Sequence, residues 1–227
     1  MKKLILATIC AFLLTPAFSQ QYGLSFSYFI PKNGSFSTPV SPFSIRGIGL
    51  DLSRSVSLET GATLYRMTGL NISGLPFQNE QPMAGPNLTL FIPAEMVFRL
   101  KGKSVEFNVN GGGFVYHGFF QQLNEGNIDR AIRSFEGWSL ANSDFTFSTK
   151  PGAGWKAGAE LMFDVTRQWG ISFEINYLSG NSPIPMKGSY SGLDSNDQLV
   201  KRDINFDKAK IDLTGIEFSL SILMKGR

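Results

Sequence analysis

Six glutamates, Glu59, Glu95, Glu106, Glu160, Glu174 and Glu217, stand in segments whose neighbouring residues are mostly apolar. In an extended chain successive side chains point to opposite faces, so these carboxylates share a face that the large apolar residues avoid. If that face lines a small closed barrel, all six meet in one lumen. Arg99 and Lys156 fall on the same side, and Asn108, Asn110 and Asn176 lie nearby. Buried charges must be paired or neutralised. The first chemistry such a set offers is a network of ion pairs and shared protons that fills the lumen. The second is a narrow solute or cation path, because carboxylate oxygens are ligands for hard cations. The six come from separate segments with no loop motif to arrange them, so neither a metal site nor a cofactor is expected. The acidic surplus can be balanced by basic residues folding in from a loop, such as Arg130 or Arg133.

His117 is the only histidine. A catalytic base needs a nucleophile and an orienting group within hydrogen-bond reach. Gly118 and Phe119 follow it, no hydroxyl is adjacent, and parity turns it to the apolar face. A lipid-modifying enzyme built on His117 is therefore the weakest reading, and the chain is expected not to be an enzyme.

The elements that must position these residues alternate with a period of two. Tyr22, Leu24, Phe26, Tyr28 and Ile30 open the pattern. Ile48, Leu50 and Leu52 then stand opposite Gly47, Gly49 and Asp51. Six more segments follow, carrying Val56 to Leu64, Leu88 to Leu100, Val105 to Val115, Trp155 to Val165, Trp169 to Tyr177 and Ile216 to Met224. Segments of about ten residues match a tilted strand that crosses a bilayer. Tight turns near Ser53, Lys101 and Thr166 alternate with long connections rich in Gly, Pro, Ser and Asn, which places short turns at one end and long loops at the other. The expectation is an all-β, eight-stranded antiparallel up-and-down transmembrane β-barrel. An extra hairpin in the third loop would make ten strands. A soluble barrel or sandwich would use the same alternation for its core, but here one face is large and apolar while the other carries charges and small polar groups.

Aromatic residues near strand ends, Tyr22, Tyr28, Phe98, Trp155, Phe163, Trp169 and Tyr177, suit the two membrane–water interfaces. Pro93 cannot donate to a ladder and predicts a bulge. The run Gly111 to Gly113 predicts a bend or close packing. In the third loop Ile128, Ile132 and Phe135 are spaced for one face of a short helix. Trp138, Phe145 and Phe147 would be exposed unless the strands extend above the membrane. The fourth loop is expected from Asn181 to Lys210. These two loops are the expected binding surface for an envelope protein, a glycan or a small ligand.

Met1 to Lys3 form a basic start, Leu4 to Leu14 an apolar stretch, and Ala17 and Ser19 a small-residue cleavage pattern before Gln20. That order is an export signal over 1–19, with the barrel domain over 20–227. The only cysteine, Cys10, lies in the signal, so the mature chain forms no disulfide. Without Lys2 and Lys3 there are 19 basic residues against 18 acidic ones, which leaves no basic field for nucleic acid. A charged fraction of 17% is low for a soluble protein.

With this pattern assembled, the chain resembles the small eight-stranded outer-membrane β-barrel proteins of Bacteroidota. The likeness covers most of residues 20–227, and its most family-like stretch is PGAGWKAGAELMFDVTRQWGISFEINYLSG. The resemblance implies a porin-like cell-envelope protein of the bacterial outer membrane, in contact with its lipid and inserted by the barrel-assembly machinery. It implies a structural or interaction role, with a transport path as the alternative. The chain departs from many such barrels by ending Lys225, Gly226, Arg227 rather than on an aromatic residue.

Overall fold

Alternation of apolar and polar residues becomes a series of long paired strands. The structure is a computed structural model, and it describes residues 21–32, 40–67, 69–85 and 87–225. The expected signal over 1–19, the side chain of Tyr22 and the last two residues lie outside what is described. In chain order the elements are β1 (Gln21–Pro31), β2 (Val40–Asp51), β3 (Val56–Met67), β4 (Ile72–Ser73), β5 (Asn87–Lys101), β6 (Val105–Phe119), α1 (Glu125–Glu136), β7 (Leu140–Phe147), β8 (Gly152–Asp164), β9 (Trp169–Pro183), β10 (Met186–Leu193), β11 (Leu199–Phe206), β12 (Lys210–Asp212) and β13 (Gly215–Lys225).

Eight of the strands close on themselves in the order β13-β1-β2-β3-β5-β6-β8-β9, with β9 pairing back to β13. The closing ladder runs from Leu178↔Gly215 to Trp169↔Met224. Closure leaves no unpaired strand edge along the wall. Three tight turns and both ends of the described chain lie at one end, and the long connections lie at the other. Leu50, Phe98, Val109, Phe173 and Phe218 point outward and are exposed, whereas Ser27, Ser44, Asn108, Asn176 and Ser221 point inward and are buried. That is the reverse of a soluble barrel, whose apolar side chains fill the inside. Trp155 and Tyr177 pack at 5.6 Å near the loop end of this apolar belt, and the exposed rings of Phe98, Phe163 and Trp169 mark its turn end.

One expectation about the ladder needs correction. Pro93 makes no bulge: Thr60↔Ala94 and Thr63↔Phe91 keep one register on the β3 side, and Pro93↔Phe114 lies in an unbroken β6 ladder. The Thr60 hydroxyl donates to the Pro93 carbonyl at 2.6 Å and ties the two strands together there. The bulges lie in β2, where the register shifts between Val40 and Phe43 and again between Ile45 and Ile48. Gly47, at φ 73°, sits in the second shift. Of the two readings of the Gly111 to Gly113 run, close packing holds at Gly112, where a Cβ would collide with the Ala94 carbonyl oxygen.

The third and fourth connections fold together as a cap on the loop end. β7 pairs with β10 from Leu140↔Leu193 to Phe147↔Met186, and β10 pairs with β11. The extra strand of the third connection thus pairs with the fourth connection, and the barrel keeps eight strands. β9 extends to Pro183, beyond the expected start of the fourth loop, and β12 continues its ladder through Asp212↔Asn181 and Lys210↔Pro183. In α1, Ile128 and Ile132 are fully buried, while Phe135 is exposed with its ring 6.4 Å from Phe77. Gly137 ends the helix in the left-handed conformation at φ 69°, a position glycine occupies without Cβ strain. Trp138 is buried against Tyr190 at 5.7 Å.

The main apolar core therefore lies at the loop end. It begins inside the barrel with Phe29, Tyr65, Phe91, Phe114, Tyr116 and Leu178, and continues into the cap through Phe77, Met83, Ile128, Ile184 and Met186.

Candidate functional site

The lumen divides into a polar middle and an apolar upper layer. Nearest the turn end of the polar part, Arg99 of β5 holds Asp51 at 2.7 Å and pairs closely with Glu59. Glu106 lies 3.8 Å from the Arg99 Nε and 3.8 Å from Lys101. The Ser57 hydroxyl donates to Glu59 at 2.6 Å. Above this group Lys156 of β8 reaches Glu95 at 2.9 Å and Glu174 at 3.5 Å. Asn110 donates to Glu174 at 2.6 Å, Asn176 to Glu217 at 2.7 Å and Asn108 to Glu160 at 2.8 Å. All eight charged residues singled out from the sequence face this interior.

The base missed by periodicity is Arg46. Parity counted back from Ile48 puts Arg46 on the outer face. The bulge at Gly47 inserts one residue and turns Arg46 inward, where it pairs closely with Glu174 and lies 3.9 Å from Glu217. It also donates to the Ser219 hydroxyl at 2.9 Å. Arg130, one of the expected loop bases, stays in α1, bonded to the Gly126 carbonyl at 3.1 Å and to Asn127 at 2.7 Å. A glycine inside a strand pattern was the available signal for the bulge.

Arg46 matters because the ladder sets carboxylates directly opposite each other. Glu59 is the cross-strand partner of Glu95, and Glu160 that of Glu174. Like charges opposed in this way destabilise a sheet. Arg99 takes Glu59 and Lys156 takes Glu95, while Lys156 and Arg46 both take Glu174. Each opposed pair thus has at least one carboxylate held by a base.

Above the network the Phe91 and Phe114 rings pack at 4.5 Å, flanked by Tyr65 at 6.2 Å from Phe91 and Tyr116 at 6.2 Å from Phe114. The Phe114 ring lies against Gly154 and Gly180 on the inner wall, where a Cβ would collide with it at 2.5 and 2.7 Å. The Tyr65 hydroxyl donates to Glu217 and joins this aromatic layer to the ion pairs below. A cavity of about 50 Å³ lies within the polar part, bordered by Arg46, Glu95, Lys156 and Glu174. That is room for a few water molecules.

His117 is half-buried on the outer face, opposite Leu90 in the ladder and 4.8 Å from the Phe119 ring. Its Nδ1 has no hydrogen-bond partner among the described residues. In the cap Glu136 joins three elements: Tyr190 donates to it at 2.6 Å and Arg202 pairs with it at 3.0 Å. The Arg202 guanidinium also lies 6.0 Å from the centre of the Trp138 ring. Burial raises the Tyr190 phenol, and the Glu136 carboxylate adds to the effect, to about 12.

No protein-family model matches the chain, and no curated protein matches it in sequence. Solved structures match it in fold. The outer membrane protein OprG from Pseudomonas aeruginosa superposes with a TM-score of 0.57 at 10% identity, over 93% of this chain and 97% of that one. A major outer membrane protein from Thermus thermophilus gives 0.45 at 8% identity, over 92% and 99% of the two chains. Ail of Yersinia pestis gives 0.40 at 9% identity, over 92% and 99%. At such identities the likeness to OprG speaks for architecture alone: this chain is a closed eight-stranded antiparallel β-barrel.

Proposed function

We propose that the protein is a non-enzymatic barrel of a bacterial outer membrane, with a structural or interaction role carried by its cap. Its apolar outer belt would lie in lipid, and the barrel-assembly machinery would insert it. The likeness of residues 151–180 to the Bacteroidota barrels agrees with this reading. The observation that carries it is the lumen itself, cross-linked by ion pairs in the middle and roofed by aromatic rings continuous with the cap core. Such an interior favours a fixed scaffold over a passage. The cap then presents the binding surface, and exposed Phe135, Leu140 and Leu199 give it apolar contact points for an envelope protein, glycan or small ligand.

The alternative is a narrow solute or cation path through the glutamate-lined interior. Single-channel recording in planar bilayers separates the two. The proposal predicts no discrete conductance. Steady conductance that changes with Glu160→Gln and Glu174→Gln would replace it with the transport reading.

A further inference from the structure

We propose that a dish on the outer wall, at the loop-end rim of β8 and β9, binds a neutral sugar ring carried on a membrane lipid. The inference deepens the reading above and rests on the belt lying in a bilayer. The dish has a volume of about 510 Å³ and spans β8, β9, β12 and β4. Its floor is low because Ala153, the outward-facing residue next to Trp155 in parity, offers only a methyl group. Trp155 stands at its lower edge, half-exposed and backed by Tyr177 at 5.6 Å. Ser179 is the ladder partner of Trp155, and Asn181 is the partner of both Ala153 and Asp212. Lys210 lies one step higher, beside Ser73.

This is the level at which the apolar wall gives way to polar residues. A ligand seated there touches the head-group layer without leaving it. A hexose presents an apolar C–H face and a rim of hydroxyls. The indole of Trp155 matches the face, because a tryptophan ring offers apolar area beside a polar edge. Asn181 both donates and accepts, and Asp212 accepts, so the pair matches hydroxyls that can do either. The Thr214 amide donates to Asp212 at 2.9 Å and holds that carboxylate in place. Lys210 and Asp212 cancel in charge, so the dish has no net attraction for a phosphate head group.

The test uses the full-length folded protein in phosphatidylcholine nanodiscs, checked first for a heat-dependent gel shift. A few mole per cent of monoglucosyl diacylglycerol, diacylglycerol or phosphatidylglycerol is then added, and retained lipid is counted by native mass spectrometry. The proposal predicts saturable retention of one glucosyl lipid, weakened about tenfold by Trp155→Ala or Asp212→Ala, in line with losing one anchoring contact. Trp169→Ala, at the opposite rim, should retain it. Equal retention of all three lipids, or indifference to both rim variants, overturns the proposal. Equal binding of soluble methyl glucoside overturns the lipid assignment and leaves a site for free saccharide. A protein that shows no gel shift and does not enter nanodiscs contradicts the membrane reading itself, and the sugar site falls with it.

Discussion

At Arg46 one extra residue in a strand reverses the destination of a charge. Without the bulge at Gly47 the guanidinium would face the outer wall, and Glu174 and Glu217 would lose the cation between them. Removing one partner of a buried ion pair costs about 3–5 kcal/mol where the other charge is left uncompensated. Here Lys156 still reaches Glu174, and Asn176 and Tyr65 still donate to Glu217, so the loss falls below that range. Arg46→Ala is therefore expected to lower the urea midpoint of the folded barrel in detergent, by the lost free energy divided by the denaturant slope, read from the loss of the heat-shifted band. Gly47→Val should act through the backbone, since a branched residue at φ 73° is strained by about 1–2 kcal/mol and the bulge would relax. An unchanged midpoint in both variants would show that the lumen does not depend on Arg46. The glutamates, Arg99 and Lys156 were legible from alternation because their strands keep parity throughout. Arg46 was not, because periodicity cannot see a residue added to only one strand of a pair. Tyr65 was hidden for another reason: its parity is regular, but its ring reads as apolar and its hydroxyl finds Glu217 from far away in sequence.

At the scale of elements, the eight wall strands were plain in the sequence because each one alternates on its own. The cap was not. β7 and β10 meet only after the chain has passed through β8 and β9, and a short strand paired at long range has no local signature beyond its apolar residues. Only α1 announced itself, through the spacing of Ile128 and Ile132. Those two are fully buried, so Ile132→Ala should cost about 2–5 kcal/mol of cap stability. Limited proteolysis should then cut the third and fourth connections while the barrel keeps its heat-shifted band. Loss of the barrel band in parallel would mean that cap and wall fold as one unit. The Tyr190 phenol, held neutral to about 12, gives the cap a pH signature. Between the ordinary tyrosine range near 10 and about 12 the unfolded cap releases a proton that the folded cap retains, so stability falls as pH rises. Tyr190→Phe should flatten that slope in proteolysis rates, and a slope unchanged by the substitution would assign it to another group.

Across the whole molecule, the same alternation that turns Leu, Phe and Val outward packs the interior with carboxylates, amides and hydroxyls. The aromatic layer of Phe91, Phe114 and Tyr116 then closes the interior toward the cap. If that layer blocks passage, the double variant Phe91→Ala, Phe114→Ala should show discrete conductance in planar bilayers where the unmodified protein shows none. Silence in both would place the barrier in the ion-pair network instead. An apolar wall of this kind requires lipid around it. The direct measurement is electrophoresis of the outer-membrane fraction in detergent, unboiled and boiled. The account predicts a band in that fraction whose mobility changes on boiling, as a closed barrel resists detergent until heated. A soluble protein with no shift would contradict it.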